Sequence, residues 1–332
     1  MASRVRETYR GHAGPVECVC VCRQADHLFL SGGSDGTARL WDRRTDGRRA
    51  ARCIPGDGTS VGSVASEDAE MVLVAAGNSV RFYDLRRADS NAVIIRPAST
   101  SVLYTASDDV NQVRVREGTF VTGDDTGAVV IGDVSDDPAD HVVIAEAHSS
   151  ICIATEITSD CCITGGMDSM VHIWDVDGAY VGSVSMSFPE GSGTVVQPSM
   201  VHSMGASRDG SILAVGLGNA DVSLCDIASV KDVARLHGHT GIVCAVEFAL
   251  WNPDNVVVSA STDSTIALWD LSSSSSSAPV SGLSRVEQDF FDTGAMLDRV
   301  HLEHKPNSVS TTSDHCILIA DSSSSITSLR LV

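Results

Sequence analysis

Residues 29–44 read FLSGGSDGTARLWDRR. Two apolar positions lead into a bend of small residues, Asp35 sits in a tight turn, an alternating run comes next, and Trp41-Asp42 closes it. Upstream, Gly11-His12 precedes a further alternating run, VECVCVC. Alternation of this kind marks half-buried strands, and the small-residue cluster marks the turn between them. The same order recurs twice more. Residues 163–175 read ITGGMDSMVHIWD after His148, and residues 258–270 read VSASTDSTIALWD after Gly238-His239. In every copy an Asp (Asp35, Asp168, Asp263) stands six residues before the Trp (Trp41, Trp174, Trp269), and a hydroxyl residue (Ser31, Thr164, Ser259) stands four before the Asp. Three matches at fixed offsets identify a structural repeat.

Weaker copies fill the intervals: VLVAAGNSVRFYD to Asp84, VTGDDTGAVVIGD to Asp133 and LAVGLGNADVSLCD to Asp226. The repeat ends at 42, 84, 133, 175, 226 and 270 are spaced by 42, 49, 42, 51 and 44 residues. A period just above 40, with His, hydroxyl, Asp and Trp in that order, resembles the WD-repeat family, whose repeats form propeller blades of four short strands. The resemblance implies an all-β, seven-bladed propeller in one domain, 1–332, in which each His–hydroxyl–Asp–Trp set (His12, Ser31, Asp35, Trp41; His148, Thr164, Asp168, Trp174; His239, Ser259, Asp263, Trp269) is a buried hydrogen-bonded chain. The blades are expected at about 10–50, 51–90, 92–138, 141–184, 198–235, 237–283 and 300–332, the last completed by residues 3–9, which close the ring and remove its open strand edges. Blade 2 lacks the Gly-His and the turn Asp, so packing should hold it. Blade 3 has Gly132 where Trp would sit, and His304 is the expected remnant of the Gly-His in blade 7. Residues 186–198 read as a longer loop, Ser272–Ser277 as a flexible linker, and 285–299 as a loop or short helix anchored by Phe290-Phe291.

Net charge is −20, unevenly spread. Residues 1–116 carry 16 Arg, no Lys and 14 acids (+2), and residues 117–332 carry 7 basic and 29 acidic residues (−22). An acidic body disfavours nucleic-acid binding, which depends on neutralising phosphates. No apolar run reaches membrane-spanning length and MASRVRETYR has no apolar signal core, so the expectation is a cytoplasmic or nuclear protein, with no membrane contact and a monomer outside its complexes. Ten Cys in such a chain read as reduced. Cys18, Cys20 and Cys22 alternate onto one strand face as small hydrophobes, adjacent Cys161 and Cys162 point to opposite faces, and no zinc-type pair-and-pair spacing occurs; no metal or cofactor is expected.

Ser, His and Asp recurring together raise the question of a hydrolase triad. A triad is one reachable nucleophile with its base and orienter. Here the trio repeats with Trp at the same offset, which is how a scaffold repeats, and no G-x-S-x-G elbow, P-loop or H-E-x-x-H occurs. A hydrolase is therefore the least favoured reading and no catalytic residue is expected. The ends of two of the repeats are more informative. Trp41-Asp42-Arg43-Arg44 and Tyr83-Asp84-Leu85-Arg86 share a W/Y-D-x-R ending, which resembles the box of substrate receptors of cullin-4 ubiquitin ligases. The resemblance implies docking of Asp42, Arg44, Asp84 and Arg86 onto the damage-specific DNA-binding adaptor propeller, and a rigid, bidentate guanidinium suits such a role. Ala38 and Arg43 depart from the box, where larger aliphatics are usual, and the second copy is one residue short in its turn. Over nearly the whole chain, the blade ending YDLR, then GDDTGAVVIGD, AHSSICIATEI, GHTGIVCAV and HLEHKPNSV…CILIAD resemble the WD repeat-containing protein 53 family, which implies an adaptor-binding propeller without enzymatic activity. The expected function is a protein-binding scaffold that receives a client protein for such a ligase. The alternative is a reader of basic, histone-like segments through the acidic blades.

Overall fold

A computed structural model describes residues 4–45, 49–87, 93–94, 100–135, 137–187, 198–272 and 295–331. Among these, the strands form seven antiparallel sheets of four, and there is no α-helix, only short 3₁₀ turns such as Leu85–Arg87 and Pro138–Asp140. Each sheet is a blade, and in six of the seven the strands run from the inside outwards in chain order. The inner strands are Val16–Val21, Val61–Ala65, Val110–Arg116, Cys152–Ile157, Val201–Ala206, Val243–Phe248 and Pro306–Thr311. Every inner strand contacts the next, and the last returns to the first, so the ring is closed.

Closure takes the expected route. Arg4–Arg10 pairs antiparallel with Ser325–Leu331, from Arg4 opposite Leu331 to Arg10 opposite Ser325, and becomes the outer strand of blade 7. The seam is also bonded from inside: Asn307 donates to the Val16 carbonyl at 2.9 Å, and the backbone N–H of Val21 donates to the Ser310 hydroxyl at 3.1 Å.

Because each strand alternates, both faces of a blade are apolar and each face meets a neighbour. Seven buried clusters result, one per interface. Leu30, Leu40, Val64 and Val72 pack between blades 1 and 2, and Tyr9, Phe29, Trp41, Leu318 and Ile326 pack across the closing seam. Cys161 and Cys162 lie in different clusters, on opposite faces of blade 4. Blades approach closely where the second strand is small. A Cβ on Gly32 would lie 2.5 Å from Val61 Cγ1 and 2.8 Å from the Val61 carbonyl, and one on Gly165 would lie 2.5 Å from Val201 Cγ1. All ten Cys are free, and burial raises the Cys18 thiol to about 12, as befits a packed hydrophobe.

Four expected blade limits are corrected by strand pairing. Blade 1 extends past residue 50 to an outer strand Arg52–Pro55, and blade 2 past 90 to Thr100–Thr105, which pairs with Ser79–Asp84 and does not belong to blade 3. Blade 3 takes Val142–Ile144, beyond its expected end at 138, and blade 6 takes Ala295–His301 from the stretch expected to be a loop or helix. The reason is physical. An outer strand has one free edge and one neighbour, needs no polar group at a set position and is reached by a connection of variable length, so no fixed offset announces it. Phe290-Phe291, most of the 186–198 loop and most of Ser272–Ser277 lie outside the described residues.

Candidate functional site

The three repeat tetrads close as hydrogen-bonded chains. His12 Nε2 is 2.7 Å from the Ser31 hydroxyl, which accepts from Trp41 Nε1 at 2.8 Å, and His12 Nδ1 is 3.0 Å from Asp35. In blade 4, His148 Nε2 is 2.9 Å from Thr164, Trp174 Nε1 donates to Thr164 at 3.0 Å, and His148 Nδ1 is 3.2 Å from Asp168. In blade 6 the same separations are 2.8 Å to Ser259 from both His239 and Trp269, and 3.3 Å from His239 to Asp263. Burial lowers the pKa of all three His. A neutral imidazole in this position donates from Nδ1 to the carboxylate and accepts from the hydroxyl at Nε2. Burial opposes ionisation of Asp35, but donors from Ala13, His12 and Thr37 outweigh it and bring it down to about 2; in the same way Asp263 falls to about 2.

These trios cannot act as a nucleophile with its base. Ser31, Thr164 and Ser259 have no exposed surface, and their oxygens already accept from an indole. They pin the loop that enters each blade to its second and third strands.

Other blades solve the same problem differently. In blade 3, Gly132 leaves a slot that His141 fills: a Cβ there would lie 2.4 Å from the His141 ring, which stands edge-on to Phe120 at 5.0 Å. In blade 5, buried Arg235 bonds Asp232 at 3.1 Å and the Met186 carbonyl at 2.8 Å, Ser223 donates to Asp232 at 2.7 Å, and His237 pairs with Asp221 at 2.6 Å. Sequence reasoning missed this network because its members come from the third and outer strands and share no offset with the tetrads. His202 lines the mouth of the central channel with Glu17, Lys305 and Cys244. His304 is exposed, so the expected remnant of the Gly-His in blade 7 does not enter a buried chain.

At the opposite ends of the third strands, blades 1 and 2 carry matching forks. Arg44 Nε and Nη2 meet Asp42 at 3.0 and 2.8 Å, and its backbone N–H donates to the same carboxylate at 2.9 Å. Arg86 repeats this on Asp84 at 2.8, 3.1 and 3.1 Å. The hydrogen bonds from Arg44 hold Asp42 below the usual carboxylate range. Each carboxylate thus fixes its guanidinium in one plane, while the side chains stay 66% and 54% exposed. Arg52 Nη1 reaches the Leu85 carbonyl at 3.4 Å and links the two blade ends. The departures from the box have local reasons: Ala38 is buried against blade 2, and Arg43 turns away to Asp314 of blade 7 at 2.9 Å.

Seven four-stranded blades, closed by the N-terminal strand and braced in three of them by His–hydroxyl–Asp–Trp chains, make this chain a seven-bladed β-propeller that carries WD repeats. In agreement, the family model described as WD domain, G-beta repeat matches residues 3–42, 141–175 and 230–270. Among individual proteins, the WD repeat-containing protein 53 homolog of Dictyostelium discoideum is 21% identical over 289 residues, covering 79% of this chain and 77% of that one. Autophagy-related protein 16 of Arabidopsis thaliana is 32% identical over 127 residues, and actin-interacting protein 1 of Caenorhabditis elegans is 26% identical over 126 residues; the matches span only 23% and 19% of those proteins. The WD40 propeller domain of Doa1 superposes with a TM-score of 0.74 at 15% identity, over 99% of this chain and 97% of that domain, a likeness of fold. Propellers of this family are protein-interaction scaffolds.

Proposed function

We propose that this propeller is a non-enzymatic substrate receptor that docks through blades 1 and 2 onto the adaptor of a cullin-4 type ubiquitin ligase and presents a client protein, in the cytoplasm or nucleus. The observation that carries the reading is the pair of preorganised Asp–Arg forks, Asp42–Arg44 and Asp84–Arg86, at the same end of adjacent blades. An arginine already held in one plane by its own carboxylate loses little conformational freedom on binding, and it brings donors that match an acidic partner surface. The test is co-purification of the adaptor with Arg44→Ala/Arg86→Ala. The expected result is loss of the adaptor with an unchanged melting temperature, because exposed pairs of this kind contribute little to stability. Adaptor recovery equal to wild type refutes the reading.

A second reading, a reader of basic peptides, draws on the exposed Asp137, Asp140, Asp160 and Asp177 of blades 3 and 4. Such binding should weaken steeply with salt, and salt-independent peptide binding refutes it. The channel mouth is a poor place for it, since Lys305 stands there with Glu17.

A further inference from the structure

The three complete tetrads differ around one carboxylate. In blade 1, Asp35 accepts from the Thr37 hydroxyl at 2.7 Å, and Arg39 Nη2 lies 3.5 Å from its other oxygen. In blade 6, Asp263 accepts from Thr265 at 2.7 Å, and Arg299 of the outer strand bonds the Gly238 carbonyl beside His239. Blade 4 has Met170 in place of the threonine and His172 in place of Arg39. Asp168 therefore has neither the threonine hydroxyl nor the guanidinium. It accepts from the backbone N–H groups of Ser149 at 2.9 Å and Met170 at 3.1 Å, with His148 Nδ1 at 3.2 Å and the Ser149 hydroxyl at 3.5 Å. Beside it the His172 ring stands edge-on to His148, centroids 4.6 Å apart, and His172 Nδ1 is buried with no hydrogen-bond partner among the described residues. His148, Asp168 and His172 each bring a ligating atom within 4.8 Å of the other two.

We propose that His148, Asp168 and His172 form a binding site for a divalent transition metal of zinc's chemistry, which takes the place that a guanidinium holds in blade 1. Two imidazole nitrogens and a carboxylate oxygen are zinc donors, and tetrahedral bonds of about 2.0–2.1 Å set neighbouring donors roughly 3.3 Å apart. The 3.2 Å between His148 Nδ1 and Asp168 already has that value, so His172 alone has to swing inward. Burial lowers the pKa of His148 and of His172, which keeps both in the neutral, ligating form. Ligation at His148 Nδ1 leaves the imidazole proton on Nε2, where the Thr164 oxygen, with two lone pairs, accepts it alongside the Trp174 N–H. Half-exposed Tyr180, its ring 6.0 Å from His172, marks the solvent side from which water completes the tetrahedron.

The site is tested by titrating the whole protein with zinc chloride, measuring heat and melting temperature, in wild type and in His172→Arg, which restores the blade 1 pattern. The expected result is one zinc per chain in wild type, with a melting temperature that rises with zinc and falls back with chelator. His172→Arg should melt like the zinc-free protein and bind zinc at least tenfold more weakly. His172→Phe, which keeps the ring without a donor, should behave the same way and covers the case in which the arginine does not fold. Cobalt in place of zinc should give visible bands without the intense near-ultraviolet absorption of a thiolate ligand. No zinc-dependent stabilisation of wild type overturns the proposal. So does equal zinc binding by the His172 variants, or a thiolate band, which would place the metal on cysteine.

Discussion

At the scale of single residues, the tetrads decide how the protein responds to acid. His12, His148 and His239 are pushed below 6.5 by burial, so the unfolded chain takes up protons first as pH falls through 6.5, and stability drops from there. Asp35 and Asp263 are depressed from 3.8 to about 2, so the stability they contribute is intact above pH 3.8 and is lost as pH falls from there through 2. The urea midpoint should therefore decline in two stages, the histidine stage and then the carboxylate stage, and a midpoint flat from pH 7 to 4 contradicts this. His148→Ala or Asp168→Ala should destabilise by about 1–3 kcal/mol by stranding buried partners, read as a lower melting temperature. The tetrads were legible in the sequence because His, hydroxyl, Asp and Trp sit at fixed offsets set by strand length. The roles of His141, Arg235 and His172 were not. Each is defined by what a neighbouring strand lacks, a Trp at Gly132, a tetrad in blade 5, an Arg above Asp168, and a missing group leaves no motif.

At the scale of elements, inner, second and third strands could be read from alternation and turn residues, as could the closing strand Arg4–Arg10, whereas the outer strands of blades 1, 2, 3 and 6 could not. Thr100–Thr105 and Ala295–His301 are joined to their blades by connections longer than in any other blade, and their residues answer to one neighbour instead of two. Gly32 shows how tightly the better-specified strands are held: Gly32→Val must push into the Val61 side chain and its carbonyl. Because the backbone cannot yield as a side chain can, that substitution should destabilise by about 1–3 kcal/mol, measured by denaturant unfolding, and it should do so from the interface of blades 1 and 2. Since Arg44 and Arg86 flank that interface, adaptor binding by Gly32→Val should weaken as well, and an unaffected interaction would separate docking from the spacing of the two blades.

For the molecule as a whole, charge and closure set the behaviour. Blades 1 and 2 hold most of the arginines, and the remaining ring carries a net charge of −22 from 7 basic and 29 acidic residues over 117–332. The two regions therefore differ in charge, which supports the proposed bridging of a ligase adaptor and a client. Removing residues 4–10 should leave Ser325–Leu331 with an unpaired edge, and size-exclusion chromatography should then find more self-association than for the intact chain.

The pairing of Arg4 with Leu331 also has a consequence for biosynthesis. Within the propeller, the first strand has to stay unpaired until the other blades have been made, because its partner Ser325–Leu331 is the last strand of the ring. Until then the six earlier blades can assemble but the circle cannot latch. A premature stop before Ser325 would cost the protein its clasp as well as any missing blades, so quality control has one simple feature by which to recognise such a chain: an arc that never shut.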